Sequence, residues 1–220
     1  MKIEEFDVQA MVNDIQKENG TISEVYFVAC GGSLIDLYSS NYFVNKESAS
    51  MIGEWIPSKE FVLTPPKRLG KHSLVFICSH GGNTKETVEA ADTATEAGAF
   101  VITYTSDETS KCASDKYHAI VYKWVDETLQ KDKPMCITYA ILNELIHRQE
   151  PEYKLYDVMK DGIIKCDGII RKAMKNIRIK HGILPSTITM HHFIYYVFWG
   201  CICTVLWICN LLFTGNAVMD

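Results

Sequence analysis

The sequence predicts an α/β fold: three layers, αβα, around a parallel five-stranded sheet, with an added N-terminal helix. Three observations predict it. Runs such as Val25-Tyr26-Phe27-Val28-Ala29, Leu74-Val75-Phe76-Ile77-Cys78 and Phe100-Val101-Ile102-Thr103-Tyr104 are largely apolar rather than alternating. Strands of that kind are buried on both faces, as in parallel sheets covered by helices on each side. Helical patterns separate the runs, which gives the alternation expected of such sheets. The composition, 220 residues with 47% hydrophobic and 22% charged, is that of a globular chain of one domain or one and a half, able to bury a substantial core.

The elements follow in order. Ile3, Phe6, Val8, Met11, Val12 and Ile15 have helical spacing, so a helix is expected from Ile3 to Glu18, with Gly20 as its stop. The first strand runs from Glu24 to Ala29. A glycine turn leads into a helix from Leu34 to Asn45. A second strand is expected from Ser50 to Trp55, then a turn at Pro57 into a short helix that Pro65-Pro66 ends. The third strand runs from Ser73 to Cys78, a helix from Thr84 to Ala97 closed by Gly98, and a fourth strand from Phe100 to Tyr104. Ala119 to Tyr122 is the fifth strand. Met135 to His147 and Tyr153 to Ile177 are expected to be helical.

Charge and cysteine usage exclude several classes. The net charge is −5 and no basic block dominates, so nucleic acid is not an expected partner. Five of the eight cysteines stand singly, as buried reduced thiols do. Cys201-Ile202-Cys203 and Cys209 lack zinc spacing, even with His191-His192 nearby, so no metal is expected, and no cofactor. The start, Met1 to Asp7, is acidic and has no apolar core of a signal peptide. The expected compartment is the cytoplasm.

Two junctions carry the chemistry. The third strand ends in Ser79-His80-Gly81-Gly82-Asn83-Thr84, and the first in Cys30-Gly31-Gly32-Ser33. A strand that enters a helix through small and hydroxyl-bearing residues is suited to hold an anion. The unpaired N–H groups of the helix start point at it, and Ser and Thr add donors. Two such junctions suggest a phosphorylated small molecule at the carboxyl ends of a parallel sheet. His80 has two readings, a structural loop residue or an acid–base group. Glu127, in the loop after the fifth strand, either faces the site or is a solvated charge.

The Ser79–Thr84 segment resembles the Ser-x-Ser-Gly-x-Thr signature of the sugar isomerase (SIS) family, whose fold is flavodoxin-like. Cys30-Gly31-Gly32-Ser33 is similar to that family's first phosphate loop, and Thr105-Ser106-Asp107 with Ser110-Lys111-Cys112-Ala113 to its loop after the fourth strand. The resemblance spans Glu4 to Ile177. Glu60-Phe61-Val62 and the Ser79–Thr87 segment look most like the fructosamine (fructoselysine or glucoselysine) 6-phosphate deglycases. The resemblance implies a sugar 6-phosphate or fructosamine 6-phosphate ligand. It assigns hydroxyl donation to Ser33, Ser79 and Thr84, backbone N–H donation to Gly32, Gly81, Gly82 and Asn83, and a place in the same loop to His80. Gly81 stands where the family has a second Ser, so one hydroxyl donor is missing. The family's catalytic Glu and His belong to a second subdomain, so no catalytic residue is assigned. Non-catalytic sugar-phosphate sensing is the alternative function.

The last forty residues differ from the rest. Residues 1–180 are assigned to the phosphosugar-binding domain and 181–220 to an atypical apolar tail. From Gly182 to Met219 there is no Asp, Glu, Lys or Arg, and Phe193 to Phe213 is almost wholly apolar. One reading is a transmembrane helix, with Arg171, Lys172, Lys175, Arg178 and Lys180 on the cytoplasmic side, making a tail-anchored protein. Another is a frameshift product that truncates the family's second subdomain. Shifted by one base, Trp199-Gly200 and Trp207-Ile208 both yield glycine, within a spelling like the start of that subdomain. The third is a soluble half-protein. A fold lacking its partner subdomain exposes apolar surface, so a homodimer is expected.

Overall fold

In the computed structural model, which describes residues 3–124 and 132–181, five strands run parallel: β1 (Glu24–Ala29), β2 (Ile52–Pro57), β3 (Ser73–Cys78), β4 (Phe100–Thr105) and β5 (His118–Val121). Their order across the sheet is β2-β1-β3-β4-β5. The helices are α1 (Val8–Asn19), α2 (Gly31–Glu47), α3 (Ser58–Leu63), α4 (Lys85–Glu96), α5 (Pro134–Gln149) and α6 (Tyr156–His181), with short 3-10 turns at Ile3–Glu5 and Lys111–Ala113. The chain divides into two units, residues 1–164 and 165–220. The first holds the whole sheet. Of the second, the described part is the end of α6. The predicted α/β class and five-stranded parallel sheet are thus observed.

Every residue of β1, β3 and β4 is buried, which explains their apolar character without alternation. On one face Tyr26, Val28, Val75, Ile77 and Val101 pack under Phe61 of α3 and Ala90, Ala91 and Ala94 of α4. The alanines let α4 lie close to the sheet. On the other face the rings of Phe27, Phe76 and Tyr104 stack across three strands, with centroids 5.5 and 6.3 Å apart. Thr138 of α5 closes that stack by donating its hydroxyl to the Tyr104 oxygen at 2.8 Å. Phe43 of α2 meets Tyr139 of α5 edge to face at 5.2 Å, joining the two helices above the stack.

Several boundaries differ from expectation, each for a local reason. The first helix starts at Val8, not Ile3, because the Asp7 carboxylate accepts the Ala10 N–H at 2.9 Å and caps it there. Helix α2 starts at Gly31, three residues early, so the first glycine turn is itself the opening of the helix. Strand β2 starts at Ile52 because the Glu150 carboxylate takes the N–H groups of Ala49 and Ser50 and holds them off the sheet. Helix α5 opens on Pro134, whose missing N–H costs nothing in the first turn. Helix α6 starts at Tyr156 instead of Tyr153, because Tyr153 closes a turn onto the Glu150 carbonyl at 3.0 Å.

Among the described residues no helix is long and apolar enough to cross a membrane. The 193–213 segment and its alternative readings, and Glu127, lie outside the described residues.

The stack predicts where stability is concentrated. Phe76 is fully buried at its centre. A Phe76→Ala variant is expected to lose about 3–5 kcal/mol, from lost transfer energy and the cavity left behind. Urea unfolding of both chains measures the difference.

Candidate phosphate crevice

The order β2-β1-β3-β4-β5 places β1 and β3 side by side, while the chain leaves them for opposite faces of the sheet. Between their carboxyl ends lies the point where the strand order reverses, the usual ligand crevice of open α/β sheets. Two helix N-termini open on it, α2 after β1 and α4 after β3. Side chains tie them together. The Ser33 hydroxyl bonds the Cys78 thiol at the end of β3. The Thr87 hydroxyl of α4 reaches the Cys30 sulfur at 3.6 Å and the Ser58 hydroxyl at 3.0 Å. The two sequence junctions therefore form one site.

The 79–84 segment forms a tight turn. Gly82 donates its N–H to the Ser79 carbonyl at 2.9 Å. The Ser79 hydroxyl donates to the Thr84 hydroxyl at 3.2 Å, so the Thr84 proton is left to face outward. Thr84 is the N-cap of α4 but makes no capping bond of its own. Among the described residues no carbonyl or side chain takes the N–H groups of Gly81, Asn83, Thr84, Lys85 or Glu86. That row of main-chain donors at a helix start is a nest for an anion. Gly32 and Gly81 both have open space where a side chain would begin.

The turn is held by the loop after β4. The His80 carbonyl accepts the Ser106 N–H at 2.9 Å and the Ser106 hydroxyl at 2.8 Å. The Gly82 carbonyl accepts the Cys112 N–H at 3.0 Å. The Asn83 side chain accepts the Lys111 N–H and donates to the Gly81 carbonyl, both at 3.1 Å. Asn83 thus contributes a brace besides its N–H. Gly82 has φ +66°, and a Cβ there would fall 1.9 Å from the Ser110 hydroxyl. No other residue fits.

The His80 ring does not lie over the nest. Its Nδ1 pairs with the Tyr122 hydroxyl at 2.9 Å, and its edge meets Trp124 at 5.3 Å. The Lys133 ammonium caps the outer face of Trp124 at 4.2 Å. His80 is therefore part of the wall at the end of β5, and its carbonyl part of the brace.

The structure adds groups that sequence reasoning passed over: Asp36, Tyr122, Thr105 and Ser110. Asp36 lies one turn beyond Ser33 on α2. Burial pushes its carboxyl up to about 7, with Lys133 pulling the other way. Burial, then the Asp36 charge, push the Cys78 thiol far above its ordinary value, against the Ser33 hydrogen bond. The signal for Asp36 was present: an acid three residues after the loop serine shares its face of a helix. Thr105 and Ser110 act through tertiary contact, which no local pattern shows. Among the described residues no three His, Cys, Asp or Glu side chains gather as metal ligands. A groove of about 540 Å³ runs beside β2, lined by Tyr26, Glu54, Glu60 and Arg68 among others, and shares no residue with the crevice.

The glycines separate two roles. Gly82→Ala is expected to cost on the order of 2–4 kcal/mol, from left-handed backbone and overpacking combined. Gly81→Ala is expected to change stability by less than about 0.5 kcal/mol, since nothing crowds that position. Equilibrium denaturation of the pair tests both.

No family model matches the chain. Fructosamine deglycase FrlB of Bacillus subtilis (strain 168) is 35% identical over 169 residues, 77% of this chain and 51% of that protein. The crystal structure of a Bacillus subtilis protein assigned as a phosphosugar isomerase superposes with a TM-score of 0.70 at 34% identity, over 77% of this chain and 51% of that one. One assigned likewise from Salmonella typhimurium LT2 gives a TM-score of 0.70 at 31% identity, over 78% and 51%. The chain spans about half the length of these relatives. Strand order, paired loops and relatives agree: the described α/β domain belongs to the sugar isomerase (SIS) family, on its deglycase and phosphosugar-isomerase side.

Proposed function

We propose that the crevice binds the phosphate of an open-chain hexose 6-phosphate, and that the protein serves the deglycation of fructosamine 6-phosphates. The nest at residues 79–86 is the observation that carries this reading. Its unbonded N–H groups, with the hydroxyls of Ser33, Ser79 and Thr84, match the three acceptor oxygens and near-double negative charge of a phosphomonoester. No lysine or metal is needed for such a site, because the helix start supplies partial positive charge. The similarity to fructosamine deglycase supports the Amadori ester as the substrate class.

Binding, not turnover, is assigned to this domain alone. Moving a proton between C1 and C2 and releasing the amine require an acid and a base converging on the sugar carbons. The described crevice offers N–H groups, hydroxyls and one carboxyl, Asp36.

A thermal-shift panel tests the reading. Fructose 6-phosphate and fructoselysine 6-phosphate are expected to raise the melting temperature, and the same compounds without phosphate to leave it unchanged. At a hundredfold excess over Kd the native state gains about 2.7 kcal/mol. A panel in which no ester shifts the transition overturns the proposal.

The missing hydroxyl at Gly81 gives a second test. A serine fits the open space there. Gly81→Ser is expected to tighten fructose 6-phosphate binding roughly tenfold to hundredfold, the value of one charge-assisted hydrogen bond. Titration calorimetry of the two chains decides it.

A further inference from the structure

We propose that Asp36 is a further ligand-facing group of this crevice, and that a phosphomonoester dianion enters together with one proton, which Asp36 takes up. The inference rests on the phosphate reading above and extends it to the charge state of the site.

Placement carries the argument. Asp36 follows Ser33 by three residues on α2, so the two side chains share a face, their Cβ atoms about 5–6 Å apart. Ser33 in turn bonds Cys78, the residue before Ser79. The carboxyl therefore stands one helical turn from the hydroxyl that borders the nest. It is half-buried, and no side chain or main-chain N–H among the described residues donates to it. A structural carboxylate at that depth ordinarily has donors of its own. This one has none and faces the space where an ester's oxygens would lie.

The groups around it do not neutralise it. From β3 it meets the Cys78 thiol and from β5 the Tyr122 hydroxyl, both neutral and both held so partly by the Asp36 charge. From the start of α5 it meets Lys133, the one cation within electrostatic reach, whose ammonium sits over Trp124. Even with that lysine, Asp36 exchanges its proton at about 7. A dianion one turn away repels a carboxylate strongly in a partly dry crevice, and so raises the carboxyl further. The neutral carboxyl has an O–H to donate, whereas the carboxylate has only lone pairs to oppose. The balance is simple: protein carboxylate, ligand dianion and one solvent proton become a complex with a neutral carboxyl. No covalent bond changes except O–H.

The sign follows. Below the free value of about 7 Asp36 already carries its proton, and binding takes up none. Above it each complex must acquire one, so affinity falls with rising pH, by up to about tenfold per unit. The ligand's own second ionisation, near 6, is complete in that range and adds nothing.

The test uses the full chain and fructose 6-phosphate. Calorimetric titrations at pH 8 in Tris and in HEPES, whose ionisation enthalpies differ, count the protons bound. The expected result is about one proton per ligand for the wild type and none for Asp36→Asn. Between pH 7.5 and 8.5 the wild-type Kd is expected to rise three- to tenfold, while that of Asp36→Asn stays within about twofold and lies below the wild type at pH 8.5. A structural role for Asp36 would move affinity at every pH alike and leave proton uptake untouched. If Asp36→Asn does not fold, the wild-type count stands alone, and zero uptake at pH 8 overturns the inference. Binding with equal uptake in both chains overturns it as well. No binding at pH 6.5 or 8 overturns the phosphate reading, and this one with it.

Discussion

The crevice depends on one close approach, the main chain at Gly82 pressed against the hydroxyls of Ser110 and Thr105. The contact links the nest to the sheet. Thr103, inside β4, donates its hydroxyl to the Cys112 carbonyl. Cys112 donates its N–H to the Gly82 carbonyl. The turn after β3 is thus positioned by the strand beside it as well as by its own. A loop held this way has little freedom to lose when a ligand arrives, and that lowers the cost of binding. The same contact explains the residue choice. Any Cβ at Gly82 forces the turn off β4, whereas Gly81, one position earlier, points into open space.

The sheet was legible because burial on both faces leaves an unmistakable trace. The runs at Val25–Ala29 and Leu74–Cys78 are apolar throughout, and only strands covered by helices on each side have reason to be. Turn chemistry marked the two loops equally well. What failed was set by distant partners. Residues 48–51 look as strand-like as those after them, but Glu150, a hundred positions away, claims their N–H groups. Asp7 looked like an interior helix position until its carboxylate capped the turn that follows. At the site, glycines and hydroxyls were visible, and the brace was not. Asn83 read as an N–H donor, while its side chain links two segments that sequence places far apart. Local pattern fixes what a segment can be, and tertiary partners fix where it stops.

The site also shows how a dianion is held without a lysine. Main-chain N–H groups are fixed by the turn, carry partial charge and need little reordering. Their weakness is that total charge is not neutralised locally. In this crevice Lys133 is the described cation close to Asp36, and it leans on Trp124 rather than into the nest. A fixed carboxylate beside such a nest would oppose the ligand outright. A carboxyl that exchanges its proton near neutrality does not, because it can meet a dianion as a donor.

That difference bears on what a domain of this size contributes. The relatives are about twice as long, and the described half holds a rigid set of donors rather than a set of acid–base groups. Rigidity here serves placement. Gripping the phosphate end of an open-chain sugar fixes the carbons at the other end relative to the sheet, and orientation of that kind supplies much of a catalyst's advantage before any proton moves. Binding energy spent on the non-reacting phosphate is available to hold the reacting carbons. The physical content of this domain is therefore a fixed anchor. Its tuning lies in two places beside the nest, the empty volume at Gly81 and the protonation of Asp36.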